Sequence, residues 1–346
     1  MQPLTFSTNK HFIPLANKPL IFYPIETVAK AGIKELAITY NTGWLEFVRN
    51  FLGDGSRWGL SFTYVLQEKP LGLANIFQVC EEYLEGEPFL LHLGDNIFLD
   101  GIKREVEYFL KSKANALAVI SHHSENKRMG VPYFDKKGRL VRYVEKPKNP
   151  PNDLAVIGVY FFDKNVFRCF RGKDRIRPSE RGELEISSPY QWLIDHKFKV
   201  ETIEYKGKWL DPGKFNDWIE ANQILLDLNT ARHLYSKPDS RSVLIGRVSL
   251  GKKCKIINSE IRGPSIVGDY VIIKDSYIGP YTSISAGCVI EKSRVENSVL
   301  MEGVTIRNVR QPIDNSLIGS GTEVTDINGH TNCLELFVGE KSQVRL

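Results

Sequence analysis

Apolar and polar residues alternate through the first third of the chain as strands and helices alternate in an α/β domain. Short apolar runs predict strands at residues 35–39, 61–66, 89–93 and 116–121. Amphipathic stretches predict helices between them at residues 19–31, 44–52 and 73–83. This alternation predicts an α/β fold with a doubly wound, Rossmann-like, mostly parallel sheet covered by helices on both faces.

The pattern then changes to short strands and turns over residues 130–162, including a hairpin around Lys137-Gly138. Helical periodicity returns at residues 185–196 and 214–230. The sequence Ser-Lys-Pro-Asp-Ser at residues 236–240 is typical of a linker. We therefore predict a first domain over residues 1–240 and a second over residues 241–346.

A regular period marks the second domain. Ser259, Ser276 and Ser293 recur every 17 residues, and each precedes an aliphatic residue by two positions. Ser298 and Ser316 give a second series with a spacing of 18. Three hexapeptide-type repeats make about one coil of a three-sided parallel β-helix. An antiparallel β-domain is the alternative, but the period and the scattered aliphatic-glycine pairs favour the β-helix.

The run at residues 89–93 supplies the first candidate functional residue. It is almost entirely apolar, which is typical of a parallel strand buried on both faces. It stops at Gly94, and Asp95 follows at once. Ligands of doubly wound sheets bind beyond the carboxyl ends of the strands, so we expect Asp95 to project into a ligand crevice.

Composition excludes several classes of protein. The 346 residues are 42% hydrophobic and 25% charged, with a net charge of +5, as in an ordinary globular protein. No dense basic block with interleaved aromatics occurs, so we expect no nucleic-acid partner. No apolar run is long enough for a membrane span, so we expect no membrane partner. The five cysteines are scattered without a Cys-x-x-Cys, which favours free thiols and a cytoplasmic location.

An ordered set of motifs extends through the first domain. The set comprises Pro-Leu-Thr at 3–5, Thr-Asn-Lys-His-Phe-Ile-Pro at 8–14, Asn-Lys-Pro-Leu-Ile at 17–21, Gln-Glu-Lys-Pro-Leu-Gly-Leu-Ala at 67–74, Leu-Gly-Asp-Asn at 93–96, Val-Glu-Lys-Pro-Lys at 144–148, Ala-Val-Ile-Gly-Val-Tyr at 155–160, Arg-Gly-Glu-Leu-Glu-Ile at 181–186 and Trp-Leu-Asp-Pro-Gly at 209–213. Together they resemble the sugar-1-phosphate nucleotidylyltransferases, in particular the members that make dTDP-glucose. The second domain is similar to the left-handed β-helix of the long members of that family.

The resemblance implies a reaction and a metal. A nucleoside triphosphate, dTTP or UTP, and a sugar 1-phosphate would give a nucleotide-sugar and pyrophosphate by in-line attack on the α-phosphorus. Asp95 and Asp211 match the family's metal aspartates, which implies a Mg²⁺ cofactor. Each aspartate alone would be read as a turn residue, so the prediction depends on the pair.

The same resemblance assigns the other candidate residues. Lys10 matches the lysine near the triphosphate, and Lys146 and Arg181 match the residues that grip the sugar phosphate. The substrate-binding candidates are Gln67 and Gly72 for the base, and Gly130 and Glu145 for the sugar. Two departures, Met129 for a usual tyrosine and His11 for a usual glutamine, bear on substrate preference.

The largest departure from the family pattern is at the N-terminus. The family has an apolar strand and a Gly-rich phosphate loop before Pro-Leu-Thr, whereas this sequence has only Met1-Gln2 there. Loss of a central strand would leave neighbouring strands with unpaired backbone groups. We therefore expect a misplaced start codon or a truncated sequence in preference to a non-catalytic relative, and the upstream DNA tests this.

Three alternatives stay open at this stage. The enzyme could use UTP, because thymine and uracil differ by one methyl group. It could instead use N-acetylglucosamine 1-phosphate with acetyl transfer by the β-helix, which we disfavour because His330 is the only histidine after residue 240. A third alternative is a regulatory subunit that binds sugar nucleotides without turnover. The β-helix also predicts a homo-oligomer, since its flat faces are suited to assembly.

Overall fold

A computed structural model describes residues 9–84, 86–326, 336–340 and 342–345. The chain divides into two compact units. One is Pro24–Trp209, and the other combines the N-terminal segment up to Tyr23 with Leu210–Leu346. The domain boundary predicted near residue 240 marks where the sequence pattern changes. In the structure, the N-terminal segment and the last long helix belong to the same unit as the β-helix. His330 lies outside the described residues.

The helices and the strands before the β-helix have the following bounds. The α-helices are α1 Phe22–Lys30, α2 Leu45–Leu52, α3 Asn75–Leu84, α4 Lys103–Ser112, α5 Ser187–Asp195 and α6 Phe215–Asn229. Short 3₁₀ turns cover Lys10–Phe12, Ser56–Trp58, Asn126–Arg128 and Lys164–Phe170. The strands are β1 Pro14–Leu15, β2 Lys18–Pro19, β3 Glu35–Asn41, β4 Ser61–Gln67, β5 Phe89–His92, β6 Ile97–Phe98, β7 Ala116–His122, β8 Gly130–Phe134, β9 Leu140–Glu145, β10 Leu154–Phe162, β11 Val200–Glu204 and β12 Trp209–Leu210.

The unit Pro24–Trp209 is a mixed α/β structure, which confirms the predicted class. Its larger sheet has the order β11-β7-β10-β8-β9, and β5 also pairs with β10. Only β7 and β11 are parallel in this sheet, while β3 and β4 form a separate parallel pair. The described part of the sheet is therefore more antiparallel than the sequence predicted.

Strand β5 corrects one prediction. It runs antiparallel to β10, with His92 opposite Val159, and its residues are half-buried rather than buried on both faces. In the described residues it has a partner strand on one edge only. The strand that is buried along nearly its whole length is β10, whose run Leu-Ala-Val-Ile-Gly-Val-Tyr-Phe-Phe is continuously apolar.

Other differences have local physical causes. The sequence prediction began a helix at residue 19, but Pro19 pairs with Pro14 in a hairpin and α1 begins at Phe22. Helix α4 was not predicted because charged residues dominate it, and Glu105 and Phe109 are its buried residues. None of the helices in the described part of the chain has the length and apolar character that crossing a membrane requires.

The second unit contains the parallel β-helix that the 17-residue period predicted, and it is left-handed. Three parallel sheets wind around one aliphatic core. Their strands are β13 Val243–Ile245, β14 Val248–Leu250, β15 Lys255–Ile257, β16 Glu260–Arg262, β17 Ser265–Val267, β18 Ile272–Lys274, β19 Tyr277–Ile278, β20 Thr282–Ile284, β21 Val289–Glu291, β22 Arg294–Val295, β23 Val299–Leu300, β24 Thr305–Arg307, β25 Leu317–Ile318, β26 Glu323–Thr325, β27 Phe337–Val338 and β28 Gln343–Arg345.

The periodic serines are stacked in ladders inside this β-helix. The Ser259 hydroxyl accepts the backbone N–H of Ser276 at 3.1 Å, and Ser276 does the same for Ser293 at 3.2 Å. In the second series, Ser298 accepts the N–H of Ser316 at 3.1 Å. Each coil thus satisfies a buried backbone donor of the next coil, which explains why serine recurs at the coil spacing.

The predicted linker is instead part of the first coil. Tyr235 N–H donates to the carbonyl oxygen of Leu250 at 3.0 Å, and Asp239 N–H donates to that of Ile256 at 3.0 Å. The Ser236 hydroxyl donates to Gly251 O at 2.6 Å. These residues cover the outer edges of β14 and β15, because unpaired strand edges need hydrogen-bond partners.

Adjacent residues of β18 provide a test of this core. Ile273 is fully buried and stacks between Ile256 and Ile290 of the neighbouring coils, whereas Lys274 faces solvent. Ile273→Ala should lower the free energy of unfolding by about 2–5 kcal/mol through the lost contacts and the cavity. Lys274→Ala should change it by less than about 0.5 kcal/mol. Calorimetric unfolding measures both, and equal effects would contradict this assignment of the core.

Candidate active site

Two strands that adjoin candidate residues end and begin beside a register shift in the pairing of β10. Strand β7 pairs along one edge of β10 with a register shift between Val156 and Tyr160. On the other edge, β5 pairs from Val159 onward and β8 pairs at Val156. The carboxyl end of β5 and the start of β8 therefore adjoin the same short stretch of β10, residues 157–158.

Asp95 follows β5 at this point and is held by its neighbour. The Asn96 side-chain N–H donates to Asp95 Oδ1 at 2.9 Å, and Asn96 Oδ1 accepts the indole N–H of Trp209 at 2.7 Å. A Cβ on Gly158 would lie 2.2 Å from Asn96 Oδ1, so only glycine leaves room for this amide. Asn96 is buried, and these contacts fix the orientation of the Asp95 carboxylate.

A neutral imidazole lies beside Asp95 in the sequence. Burial lowers the pKa of His92 to about 4, although its hydrogen bond to Leu93 and the Asp95 charge oppose the shift. His92 Nδ1 lies 2.8 Å from Leu93 O, so the proton is on Nδ1. At neutral pH, His92 therefore adds no positive charge near Asp95.

Gly130, Glu145 and Lys146 are brought together by the β8–β9 ladder. Gly130 is directly opposite Glu145, and Lys146 N–H donates to Met129 O at 2.9 Å. A Cβ on Gly130 would lie 2.2 Å from the Tyr143 ring, so the glycine is required by packing. Lys146 has φ +48°, a conformation that is uncommon outside glycine and that clusters at functional sites.

The Glu145 carboxyl is the electrostatic centre of this group. Burial raises its pKa, the Lys146 and Arg181 charges oppose that shift, and Glu185 and Glu183 add to it. The Arg181 charge thus acts on a carboxyl of the β8–β9 ladder. A partly buried carboxyl close to both cations and other carboxylates can bind hydroxyl groups in a site that also binds an anion.

Arg181 is held by a residue that the sequence interpretation did not single out. Its guanidinium donates to Glu185 Oε1 at 2.7 Å, and the Ser179 hydroxyl donates to the same oxygen at 2.8 Å. The Glu185 side chain is 11% exposed, whereas that of Arg181 is 41% exposed. Arg181 and Glu185 are four residues apart, and this spacing of opposite charges could have indicated the pair from the sequence.

Gln67 and Gly72 form a neighbouring corner. Gln67 ends β4, and its side-chain N–H donates to Asn75 Oδ1 at 3.2 Å. Gly72 has φ +108°, and a Cβ there would lie 2.5 Å from Leu184 O. Gly72 is thus packed against the backbone next to Glu185. This packing requires a glycine independently of the predicted approach of a base.

Lys10 and Asp211 belong to the other unit. Lys10 begins the 3₁₀ turn that Asn9 caps, with Asn9 Oδ1 accepting the N–H of His11 at 3.1 Å. Asp211 is exposed, and its carbonyl oxygen accepts the N–H of Gly213 at 2.7 Å just before α6. Asp217 then caps α6 by accepting Lys214 N–H at 2.9 Å.

The two metal candidates, Asp95 and Asp211, lie in different units, so their joint role stays a prediction. Asp95 and Asp211 offer carboxylate oxygens, the donors that Mg²⁺ prefers. Among the described residues, no group of three or more His, Cys, Asp or Glu side chains could hold a metal ion.

Substitutions at two glycines with positive φ can distinguish the cost of backbone strain from the cost of steric crowding. A Cβ at Gly138 (φ +74°) would have no atom within 4 Å, while one at Gly72 would collide with Leu184. Gly138→Ala should cost about 1 kcal/mol in free energy of unfolding. Gly72→Ala should cost at least about 1–3 kcal/mol more, because the Leu184 backbone must move. Denaturant unfolding checks both values, and equal costs would contradict the close packing at Gly72.

Comparison with known proteins identifies the family. Residues 1–227 match the model of the nucleotidyl transferase family. The whole chain aligns with 96% of a glucose-1-phosphate thymidylyltransferase of Streptomyces antibioticus at 36% identity. It aligns equally completely with the enzyme of the same name from Streptomyces griseus, covering 96% of it at 35% identity.

A solved structure agrees with this assignment. It is a crystal structure assigned as a glucose-1-phosphate thymidylyltransferase of Bacillus anthracis, in complex with sucrose. The match has a TM-score of 0.61 at 31% identity and covers 67% of this chain and 92% of that chain. Since the family model spans well over half of the sequence and the relatives align along all of it, this chain belongs to the nucleotidyl transferase family.

Proposed function

We propose that this protein forms dTDP-glucose and pyrophosphate from dTTP and glucose 1-phosphate. The observation that carries the proposal is the β8–β9 ladder, which places Gly130 opposite Glu145 and next to Lys146, with the Arg181 charge also acting on the Glu145 carboxyl. A sugar 1-phosphate needs acceptors for its hydroxyls and cations for its phosphate, and this group offers both. The names of the full-length relatives supply the substrates.

The reaction is a phosphoryl displacement. An oxygen of the sugar phosphate attacks the α-phosphorus of the triphosphate, and the bond from that phosphorus to the bridging oxygen breaks. Pyrophosphate leaves with the bonding electron pair. Such a reaction asks the protein for positioning and charge neutralisation. In our proposal, Lys146 and Arg181 hold the attacking phosphate, and Lys10 lies along the triphosphate.

Two pairs of residues select the substrates. Glu145 would accept hydrogen bonds from sugar hydroxyls, with a backbone group of Gly130 beside it on the opposite strand. Gln67 would read the pyrimidine edge, since its amide offers a donor and an acceptor. Its hydrogen bond to Asn75 holds that amide in one orientation before a base arrives.

Nucleotidyl transferases generally use divalent metal ions, and we propose Mg²⁺ here. Asp95 and Asp211 would hold it, and when bound it would supply positive charge against the triphosphate. Asn96 fixes the Asp95 carboxylate through one oxygen. Removal of divalent metal with a chelator should therefore abolish turnover.

Pyrophosphate release by this protein tests the proposal. We expect turnover with Mg²⁺, glucose 1-phosphate and dTTP, with dTDP-glucose identified by mass. Lys146→Ala should lower kcat/KM about 100-fold, because it removes a cation from the phosphate. Lys148→Ala, at an exposed position nearby, should leave kcat/KM unchanged.

Three outcomes would count against this function. Faster turnover with UTP would favour a uridylyltransferase. Equal losses for Lys146→Ala and Lys148→Ala would remove the phosphate-binding role. Sugar-nucleotide binding without pyrophosphate release would favour a regulatory subunit.

The raised pKa of Glu145 predicts a pH effect on sugar binding. Above that pKa the carboxylate accepts hydroxyl hydrogen bonds, and as the pH falls through it the group is protonated and loses acceptor capacity. KM for glucose 1-phosphate should therefore rise on acidification earlier than an unshifted glutamate would allow. Glu145→Gln should give a higher KM whose acid limb is flatter. Initial rates from about pH 5 to pH 8 measure this, and an unchanged acid limb in the variant would contradict the assignment.

Assembly and location complete the proposal. The β-helix offers three parallel sheet faces, which we expect to join copies of the chain into a homo-oligomer. Light scattering that gives only the monomer mass would contradict this. The described cysteines Cys80, Cys169, Cys254 and Cys288 are free thiols, which supports the cytoplasmic location that we propose.

A further inference from the structure

We propose that Asn222 is a positioning residue that ties the segment carrying Lys10 to the β-helix. The β-helix would then act on the reaction from within one chain, in addition to any role in assembly. This inference rests on the proposed function for the role of Lys10. The contacts that carry it all lie within the unit formed by the N-terminal segment and Leu210–Leu346.

The Lys10 segment continues into a tight hairpin. Strands β1 and β2 pair with Leu15 opposite Lys18, leaving Ala16 and Asn17 as the turn. Both turn residues have positive φ, +48° and +59°. Such two-residue turns favour Asn and Gly, so Ala16 is in a conformation that its side chain disfavours. External contacts are expected to hold a turn of this kind in place.

Helix α6 and the β-helix provide these contacts. The Ala16 N–H donates to Asn222 Oδ1 at 2.9 Å. The side-chain N–H of Asn17 donates to the carbonyl oxygen of Ile284, in β20, at 2.6 Å. One turn before Asn222 on α6, the indole N–H of Trp218 donates to Pro14 O at 3.2 Å.

Asn222 is the point where the three parts meet. Its Oδ1 also accepts the Ser283 hydroxyl at 3.0 Å, and its Nδ2 donates to Tyr281 O at 3.2 Å. The residue is fully buried. One amide thus bonds the hairpin with one oxygen lone pair and the β-helix with its other groups. A buried network that is satisfied in this way permits one arrangement of its parts.

The hairpin transmits this position to Lys10. Leu20 N–H donates to Ile13 O at 3.1 Å, and Ile21 N–H donates to His11 O at 2.9 Å. Ile13 N–H in turn donates to the carbonyl oxygen of Lys10 at 3.1 Å. Continuous backbone hydrogen bonds therefore connect the clamped turn to the residue that would face the triphosphate.

Helix α6 has a second bond to the β-helix that does not touch the hairpin. The Gln223 side chain donates to Asn297 Oδ1 at 2.5 Å. This bond offers a matched control for Asn222.

Hydrogen exchange and kinetics on matched variants test the proposal. Asn222→Leu removes the bonds to both the hairpin and the β-helix, while Gln223→Leu removes only a bond between α6 and the β-helix. We expect Asn222→Leu to speed amide exchange in residues 9–21 at least about tenfold. We expect it to lower kcat/KM about 10- to 100-fold, mainly through kcat, because a displaced cation affects the transition state. Gln223→Leu should change neither.

Two further variants locate the effect. Asn17→Gly keeps the left-handed turn but removes the bond to Ile284, so it should show the same changes with smaller size even if Asn222→Leu fails to fold. In the background of Lys10→Ala, Asn222→Leu should cause little further loss of kcat/KM, because both act on one contact. In the background of Glu145→Gln, its full effect should persist.

The outcomes separate this inference from the proposed function. Equal exchange of residues 9–21 in Asn222→Leu and Gln223→Leu would overturn the anchoring role, whether or not the protein is active. Fast exchange in Asn222→Leu with undiminished kcat/KM would overturn the positioning role. If the unaltered protein released no pyrophosphate, the proposed function would fail while exchange would still judge the anchor.

Discussion

The pairing of β10 with three other strands is the constraint on which the α/β unit depends. Strand β7 occupies one edge, and β5 and β8 follow one another along the other edge. Between the end of β5 and the start of β8, side chains and backbone groups of β10 can contact residues outside the strand ladder. Gly158 has no side chain there, Asn96 fills the space, and Asp95 is oriented as a result. The β8–β9 ladder begins at the same stretch of β10, and it places Gly130 opposite Glu145.

The β-helix follows a different rule, in which each coil completes the one before it. Stacked isoleucines exclude water from the axis, and stacked serines accept backbone donors that the core would otherwise leave unsatisfied. Each neighbouring coil thus contributes both apolar and polar contacts to the next. The stack also supplies the carbonyl oxygens of Ile284 and Tyr281, to which the hairpin and α6 donate hydrogen bonds.

The sequence predicts what depends on local pattern. The 17-residue period contains the stacking rule, so it predicted the β-helix and its serines. Short apolar runs predicted β3, β4, β5 and β7, and motif order supplied site candidates such as Asp95 and Arg181, whose roles stay predictions. The direction of the strands was not predictable, because an apolar run at residues 89–93 fits parallel and antiparallel partners equally well. Supporting residues were missed for a similar reason: Asn222 acquires its role from groups 206 and 61 residues away in the chain. Glu185 and Asn96 were within reach, since each lies close in sequence to the residue it holds.

The charges around Glu145 link the pKa of its carboxyl to the binding of the sugar phosphate in the proposed site. Lys146 and Arg181 restrain the upward shift that burial imposes on the pKa of Glu145. In the proposed reaction a phosphate would engage these two cations and bring negative charge of its own. Both effects weaken the restraint, so phosphate binding should raise the pKa of Glu145 further. Hydroxyl binding at the sugar end needs the deprotonated carboxylate and lowers its pKa, so a rise of KM on acidification requires this effect to exceed that of the phosphate charge. Glu185 limits this conflict, because it shares the Arg181 charge before the substrate arrives and fixes the guanidinium in place.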